Sequence, residues 1–353
     1  MATLLACGHP FRPLANPRQS PRQEVRHGPS SFSLQQVMQS SVKDRPGRRR
    51  ESSQAKPLIL TTPRAAFKQF PTVTLVCVDG RSPVLALRAI HDSTARAGCQ
   101  FARNIVFTTA EPRPGRASFQ VASVPNGVEV IAQDRLDSIE GYNEFMMKRL
   151  ISYIETDFAL IVQWDGFVLN PANWMPAFLE YDYIGAVWPW QPPAFQVGNG
   201  GFSLRSKKLL QALQDPRVVS HQPEDLAICQ TYRHLLEREF DIHFAPPKLA
   251  DRFSFERHPH QRSFGFHGFY NFARVFSTED LRQRLAELPL VVYGSIDATE
   301  LAHNLSLSGD EASAVQVLSQ VLRFRHGSEV PGEFQSGQSR ARSVSTRRRV
   351  VRG

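Results

Sequence analysis

Residues 158–166 have the sequence FALIVQWDG, which predicts a buried strand that ends in a polar turn. The continuous apolar run Phe158–Val162 is typical of a strand covered on both faces of a parallel sheet. The tetrapeptide QWDG, residues 163–166, follows at its carboxyl end. In open α/β sheets, ligands bind beyond the carboxyl ends of the strands, so QWDG is the first candidate for a binding site.

The chain before this strand alternates in the same way between strand and helix patterns. The predicted elements are strands at Thr72–Val78, Asn104–Thr108 and Val128–Ile131, and helices at Pro83–Ala97 and Tyr142–Ile154. This order predicts an α/β fold with an open, mostly parallel sheet flanked by helices. Asp79 ends the first strand and is therefore a second candidate at the carboxyl edge.

The chain after this strand is less regular. The predicted elements are helices at Leu204–Leu213 and Pro223–Glu239, a strand at Ile242–Ala245 and a loop at Phe253–Asn271. A capping-box sequence at Ser277 opens another helix, and the last two predicted helices are Ala298–Leu307 and Asp310–Leu322. These last two resemble half of a tetratricopeptide-type repeat and predict a small C-terminal helical appendage.

The net formal charge of +9 is concentrated at the two ends of the chain. Residues 1–70 contain 12 Lys and Arg against 3 Asp and Glu, and residues 323–353 contain 8 against 2. The remaining part has 22 against 28, which argues against a nucleic-acid groove in the folded core. The basic ends are interpreted either as solvated tails or as contacts to an anionic membrane surface or nucleic acid.

Composition and charge divide the chain into four predicted segments. They are a disordered tail at 1–69, an α/β domain at 70–277, a helical appendage at 278–324 and a second disordered tail at 325–353. No apolar run approaches the roughly 20 residues of a membrane helix. The cysteines have no metal-type spacing and are interpreted as buried, reduced thiols, which favours a cytoplasmic protein. Its basic tails would allow such a protein to lie at a membrane surface.

Residues 197–206 (VGNGGFSLRS) form a glycine-rich segment that precedes a predicted helix. Glycines allow the backbone to approach a ligand closely, and a helix N-terminus offers free N–H groups. The spacing excludes a P-loop. Asn199, Gly200 and Gly201 are therefore candidate ligand contacts, with a structural turn as the alternative.

Two further motifs contribute acid and base groups. The tripeptide PED, residues 223–225, opens a predicted helix, where Glu224 and Asp225 either stabilise the helix dipole or act as a general base. On the dipole alone, replacement of Glu224 is expected to cost a few tenths of a kcal/mol. FGFHG, residues 264–268, sets His267 among aromatic residues, as a core histidine or as a ligand. Asp165 in QWDG is interpreted as a ligand of a hard cation or as part of a common turn.

These motifs occur in an order that resembles a known family. QWDG, then YDYIGA at 181–186, the glycine segment, PED and FGFHG are similar to an uncharacterised domain family related to GT-A glycosyltransferases. The resemblance covers about Phe70–Phe276. It implies a GT-A-like fold that binds a nucleotide-diphosphate sugar and transfers the sugar to an acceptor.

The resemblance also implies roles for the candidate residues. GT-A enzymes usually carry an Asp-x-Asp triplet after the central strand, and the matching triplet is Gln163-Trp164-Asp165, with one carboxylate. By this likeness, Asp165 and His267 hold a divalent cation, Mn²⁺ or Mg²⁺, on the donor diphosphate, and Gln163 and Asp79 lie near the nucleotide. The Asn199-Gly200-Gly201 loop lines the donor sugar, and Asp225, or else Glu224, is the base.

The predicted function is therefore a glycosyltransferase. The expected reaction is inverting and metal-assisted, with a glycan or another hydroxyl compound as acceptor. A sugar nucleotidyltransferase and a catalytically silent glycan- or nucleotide-binding scaffold protein remain as alternatives. Trp164, Trp188 and Trp190 are expected to stack on sugar rings.

Overall fold

The computed structural model describes residues 67–109, 124–257 and 262–327. Its strands, numbered in chain order, are β1 Lys68–Val78, β2 Cys99–Thr109, β3 Val128–Gln133, β4 Phe158–Val162, β5 Tyr183–Ile184, β6 Ala186–Val187, β7 Val197–Gly198, β8 Ser203–Ser206, β9 Ser254–Phe255 and β10 Gly265–Phe266. Its α-helices are α1 Pro83–His91, α2 Ile139–Glu144, α3 Lys207–Ala212, α4 Glu224–Leu226, α5 Arg233–Phe240, α6 Pro247–Phe253, α7 Phe272–Val275, α8 Thr278–Glu287, α9 Ile296–Leu307 and α10 Glu311–Gly327.

Several helices continue into wider π-type or tighter 3₁₀ turns. The π-type turns are Asp92–Arg96 after α1, Phe145–Arg149 after α2 and Ala227–Thr231 after α4. The 3₁₀ turns are Leu150–Tyr153, Pro171–Asn173, Pro176–Glu180, Pro193–Phe195, Phe269–Asn271 and Leu290–Gly294. The predicted helix start at Ser277 is confirmed, because Ser277 is the N-cap and its Oγ accepts the N–H of Asp280 at 3.2 Å.

The central sheet has six strands in the order β3-β2-β1-β4-β8-β5. Its first four strands are parallel, whereas β8 runs antiparallel to both β4 and β5. Apart from the half-buried Phe158, the apolar residues of β1 and β4 are buried on both faces of the sheet, which explains their continuous hydrophobic runs. The predicted α/β class, with a mostly parallel sheet flanked by helices, is confirmed.

A second, four-stranded sheet brings FGFHG to the carboxyl end of β4. Its order is β10-β9-β6-β7, and Val168, just after QWDG, forms a bridge with Gly265 in β10. The N–H of Gly268 then donates to the backbone carbonyl of Asp165 at 2.9 Å. Two motifs that are distant in sequence therefore lie side by side.

The C-terminal helices pack on the α/β domain through apolar and charged contacts. One apolar cluster combines Trp164 and Phe167, which follow β4, with buried residues of α8, α9 and α10. Arg284 of α8 donates from Nη2 to both carboxylate oxygens of Asp92, at 2.9 and 2.8 Å. Its guanidinium also lies 4.5 Å from the ring centroid of Phe276. This buried pair ties α8 to the turn after α1.

Several predicted elements differ from the structure. The loop predicted at 253–271 contains β9 and β10, and the helix predicted at 223–239 is divided into α4, a π-type turn and α5. Residues 204–206, predicted as the start of a helix, belong to β8, where Leu204 pairs with Leu160 of β4 and is buried. Sheet pairing thus overrides the helical pattern, and the helix begins only at Lys207. The strand predicted at 242–245 is reduced to a single bridge between Phe244 and Tyr183.

The predicted tails lie outside the described residues, except at their inner ends. The first strand begins at Lys68 and the last helix ends at Gly327, and the four-segment division stays a prediction. Among the residues that the structure describes, no helix combines the length and apolar character required to cross a membrane.

Three of the four thiols are inaccessible in the folded chain. Cys77, Cys99 and Cys229 are free and buried, as the sequence predicted, and burial raises the pKa of Cys99 to about 12. Because the thiolate is the reactive form, we expect these three residues to resist alkylation at neutral pH until the protein unfolds. Iodoacetamide labelling with peptide mass mapping, with and without urea, tests this, and labelling of Cys77 in native protein would contradict it.

Candidate functional site

Asp165 lies in a tight turn at the carboxyl end of β4. Gln163 and Gly166 exchange backbone hydrogen bonds of 2.8 and 3.0 Å, which fix the turn. The Asp165 carboxylate is 2% exposed, and its Oδ1 atom has no hydrogen-bond partner. Burial raises the pKa of this carboxyl, and His267 opposes the shift. A buried, unpartnered carboxylate oxygen is costly, so a ligand that satisfies it would gain binding energy.

The imidazole of His267 faces this carboxylate. Its Nε2 atom lies 3.7 Å from Asp165 Oδ1 and 3.2 Å from Gln163 Oε1. Its Nδ1 atom lies 3.0 Å from Asn199 Nδ2 and 3.4 Å from Glu256 Oε1. Burial lowers the pKa of His267, but Asp165 and Glu256 outweigh burial and raise the pKa to about 9. Two oxygens and one imidazole nitrogen therefore converge at the end of β4.

Asn199 holds the inner edge of this imidazole. Its φ of 77° is left-handed, a conformation that Asn tolerates better than most residues. Its Oδ1 atom accepts the N–H of Phe202 at 3.0 Å, which orients its Nδ2 group towards His267 Nδ1. This N–H opposes protonation of Nδ1, whereas the nearby carboxylates favour it. A neutral ring whose proton lies on Nδ1, where Glu256 can accept it, leaves Nε2 free as an electron-pair donor facing Gln163 and Asp165.

The two glycines after Asn199 allow the backbone to contact both sides of the site. A Cβ atom on Gly201 would lie 2.1 Å from His267 Nε2 and 2.7 Å from Gln163 Oε1. A Cβ atom on Gly200 would lie 2.6 Å from a carboxylate oxygen of Glu224. A side chain at either position would displace these groups. This explains why both positions are occupied by glycine.

The structure gives the two acids of PED different surroundings. Glu224 Oε1 accepts from Arg205 Nη2 at 2.8 Å, and both side chains are buried. Asp225 instead accepts backbone N–H groups, from Gly200 to Oδ2 at 3.1 Å and from Leu226 to Oδ1 at 2.8 Å. Burial, followed by the charge of Glu224, raises the pKa of Asp225 to about 7. Asp225 therefore has the pKa that suits a base at neutral pH.

Arg205 is a site residue that the sequence reasoning missed. Its side chain is fully buried in β8, where Nε donates to Ser203 Oγ at 3.1 Å. Its Nη2 group contacts the carbonyl oxygen of Gly200 at 3.4 Å as well as Glu224. Arg205 thus joins the glycine loop to the acid pair. Residues 204–206 were predicted to begin a helix, so this role was not predicted, although Arg205 lies inside the glycine-rich segment 197–206.

The three tryptophans expected to stack on sugars differ in accessibility. Trp164 is 8% exposed and packs edge-on against Phe269, with ring centroids 5.1 Å apart. Trp188 is 5% exposed and donates from Nε1 to Glu256 Oε2 at 3.2 Å. Trp190 is 58% exposed and stacks on Trp188. Trp164 and Trp188 are therefore mainly core residues, because their rings are already covered, and Trp190 has the most accessible ring of the three.

Asp79 lies at the carboxyl end of β1, the strand next to β4. Its Oδ1 atom accepts the N–H groups of Arg81 and Ser82, both at 2.8 Å. Burial raises the pKa of Asp79 to about 6, with a smaller contribution from Asp165. The predicted sheet edge therefore brings both carboxylates to one side of the domain.

Adjacent glycines connect the two parts of this site. Gly200 donates to Asp225, Gly201 packs on His267 and Gln163, and consecutive Cα atoms are about 3.8 Å apart. Among the described residues, no group of three or more His, Cys, Asp or Glu side chains is arranged to hold a metal ion. The cluster at β4 can still contribute oxygen and nitrogen ligands to a cation that a bound diphosphate completes.

Known structures with some similarity to the chain include two of LgtC and one of TarS. An active-site mutant of LgtC is 13% identical, with 62% of this chain and 97% of that chain covered and a TM-score of 0.35. TarS of S. aureus is 10% identical, with 72% of this chain and 92% of that chain covered and a TM-score of 0.36. The galactosyltransferase LgtC in complex with donor and acceptor sugar analogues is 12% identical, with 55% of this chain and 86% of that chain covered and a TM-score of 0.31. No curated protein sequence matches the chain.

The sequence of residues 126–267 matches the family described as protein of unknown function, DUF5672. The matched range contains the QWDG turn, the glycine loop and the PED acids, and it ends at His267. Only Asp79, among the candidate site residues, lies before it. The chain is therefore similar to this family of unknown function over residues 126–267.

Proposed function

We propose that this protein is a glycosyltransferase that moves a sugar from a nucleotide-diphosphate donor to an acceptor hydroxyl with inversion. One observation carries the proposal. The dipeptide Gly200-Gly201 holds Asp225, a carboxylate with a pKa near neutrality, on one side and the Gln163, Asp165 and His267 cluster on the other. Such a transfer requires both a base for the acceptor and stabilisation of the leaving diphosphate.

The cluster fits a divalent cation by its donor atoms. Asp165 Oδ1 is buried and unpartnered, and His267 Nε2 and Gln163 Oε1 lie beside it. We propose Asp165 and His267 as protein ligands of Mn²⁺ or Mg²⁺, with Gln163 as a neighbouring oxygen donor. When bound, such a cation would stabilise negative charge on the departing diphosphate. Glu256 accepts from the far side of the imidazole ring and orients it, as carboxylates behind metal-binding histidines do.

The proposed base is Asp225, because Glu224 is already engaged by Arg205. The two side chains form a buried ion pair, and moving Glu224 would leave the Arg205 charge uncompensated. Asp225 has only backbone hydrogen bonds to surrender. It would take the proton of the acceptor hydroxyl as the oxygen attacks from the face opposite the diphosphate.

The nucleotidyltransferase alternative is less well supported by this arrangement. Two-metal nucleotidyl transfer needs several carboxylates around paired ions, whereas Asp165 is the one acid of the QWDG turn. The binding-protein alternative uses the same donor cluster without the base. A nucleotide-binding protein without transfer would therefore retain the role of Asp165 and lose that of Asp225.

We expect the Asp165→Asn variant to bind nucleoside diphosphate more weakly than the wild type in Mn²⁺, by about 1–3 kcal/mol. The substitution keeps the shape of the side chain but removes the charge that faces the cation. Titration calorimetry with UDP and GDP, with and without Mn²⁺, measures the difference.

The matched control is Asp134→Asn, which removes an exposed carboxylate from the turn after β3. This variant should bind nucleotide as the wild type does. Equal dependence on Mn²⁺ in wild type and Asp165→Asn would remove Asp165 from the cation site. Absence of nucleotide binding by the wild type would contradict the transferase proposal itself.

A further inference from the structure

The last helix, α10, carries an exposed apolar stripe beside its buried face. The buried residues of the helix are Ser313, Ala314, Val317 and Val321. Val315, Leu318 and Leu322 are instead 60%, 40% and 51% exposed. Their spacing of three and four residues places them along one side of the helix, as in the seam of a coiled coil. A row of exposed apolar side chains at this spacing indicates an interaction surface.

Charged residues extend this stripe at both ends. Glu311 lies four residues before Val315, and Arg325 lies three residues after Leu322. Both end residues are exposed. The series from 311 to 325 therefore has steps of four, three, four and three, with Leu318 at its centre. The stripe is acidic at its amino end, apolar in the middle and basic at its carboxyl end.

This pattern is complementary to itself when one copy is reversed. In an antiparallel pair of α10 helices with the twofold axis at Leu318, Glu311 lies opposite Arg325 of the second copy. Val315 then lies close to Leu322 of the second copy, and the two Leu318 side chains meet at the axis. The opposed helix dipoles add to this complementarity. A parallel arrangement would instead align like charges at each end.

We propose that the chain forms a twofold dimer through antiparallel packing of α10 on α10 of a second copy. The occupant is a second copy because the charge order of the stripe matches its own reverse, which a twofold axis requires. This surface lies on the C-terminal helices, and the proposal does not depend on the transferase function.

Sedimentation equilibrium of the full chain, in a reductant that excludes disulfide links, tests the dimer. The wild type should show a reversible monomer–dimer equilibrium. Leu318→Glu brings two carboxylates together at the axis, and like charges in that position should raise the dissociation constant by about 100-fold or more. The matched control is Leu307→Glu, which charges a more exposed leucine, 74% accessible, at the end of α9 and outside the stripe. It should dimerise as the wild type does.

Charge reversal tests the orientation of the two helices. Glu311→Arg and Arg325→Glu should each weaken the dimer several-fold, because each sets like charges against each other at both ends of the stripe. The double variant restores opposite charges and should recover the affinity of the wild type. Circular dichroism should be unchanged throughout, since all substituted side chains are exposed.

Three results would overturn the proposal. The first is a monomeric wild type, which is also the result expected if another segment of the chain covers the stripe. The second is a dimer that Leu318→Glu leaves intact. The third is a double charge reversal that fails to recover the affinity lost in the single variants.

Discussion

Replacing Glu224 with Gln should lower the free energy of unfolding by about 3–5 kcal/mol, the usual cost of removing one partner from a buried ion pair. The substitution leaves the guanidinium of Arg205 in the core without a countercharge, since the two side chains are 4% and 0% exposed. This is roughly tenfold more than the helix-dipole effect predicts for an acid in a first helical turn. Urea denaturation of wild type and variant measures the difference.

The matched control for this experiment is Glu140→Gln. Glu140 also lies in the first turn of a helix, α2, but it is exposed. If the dipole accounted for the role of Glu224, both substitutions would have the same small effect. A change of less than about 1 kcal/mol in Glu224→Gln, within the range of exposed ion pairs, would mean that the Arg205 pair does not stabilise the fold.

The parallel part of the sheet could be predicted because its strands are covered on both faces. Short continuous apolar runs such as Phe158–Val162 indicate buried strands, and that strand has the predicted bounds. The position of Asp165 follows directly, since the first few residues after a parallel strand lie at the ligand-binding edge of the sheet. Local pattern and tertiary structure agree here, so short-range reasoning was sufficient.

The contacts across the site could not be predicted because they join segments that are distant in sequence. Residues 204–206 carry a helical pattern, yet they form a strand of the sheet between β4 and β5. In a helix Arg205 would project from an exposed turn, whereas in β8 it is fully buried beside Glu224. The role of Glu224 thus depends on the secondary structure of another segment. A helical wheel of the PED segment contains no information about that segment.

The burial of Trp164 likewise depends on segments that are distant in sequence. A ring after a strand end suggests a stacking surface for a sugar, but the C-terminal helices cover Trp164 in an apolar cluster. The rings that pack against Trp164, those of Phe269 and Phe272, are more than 100 positions away, and no feature of the QWDG turn reveals them. Accessible aromatic surface depends on which elements pack together, and this is the least local property of a fold.

Replacing Asp225 with Asn should reduce sugar transfer by about 100-fold or more, the usual scale for loss of a general base. Burial, with a further contribution from Glu224, raises the pKa of Asp225 to about 7. A base must be deprotonated to act, so wild-type activity should rise as pH increases through about 7. In Asp225→Asn this rise should disappear. The measurement is turnover against pH, with whichever nucleotide sugar the wild type consumes in a donor screen.

Affinity and pH dependence together distinguish a lost base from a damaged site. Asp225→Asn should bind nucleotide nearly as the wild type does, because Asp225 lies on the acceptor side of the glycine loop in the proposed arrangement. Glu224→Gln removes a charge that raises the pKa of Asp225, so in the fraction that remains folded the pH-dependent rise should move to lower pH. If Glu224→Gln abolishes turnover in folded protein and Asp225→Asn does not, the two roles are reversed. If both variants transfer sugar at the wild-type rate, the base is a residue outside this acid pair.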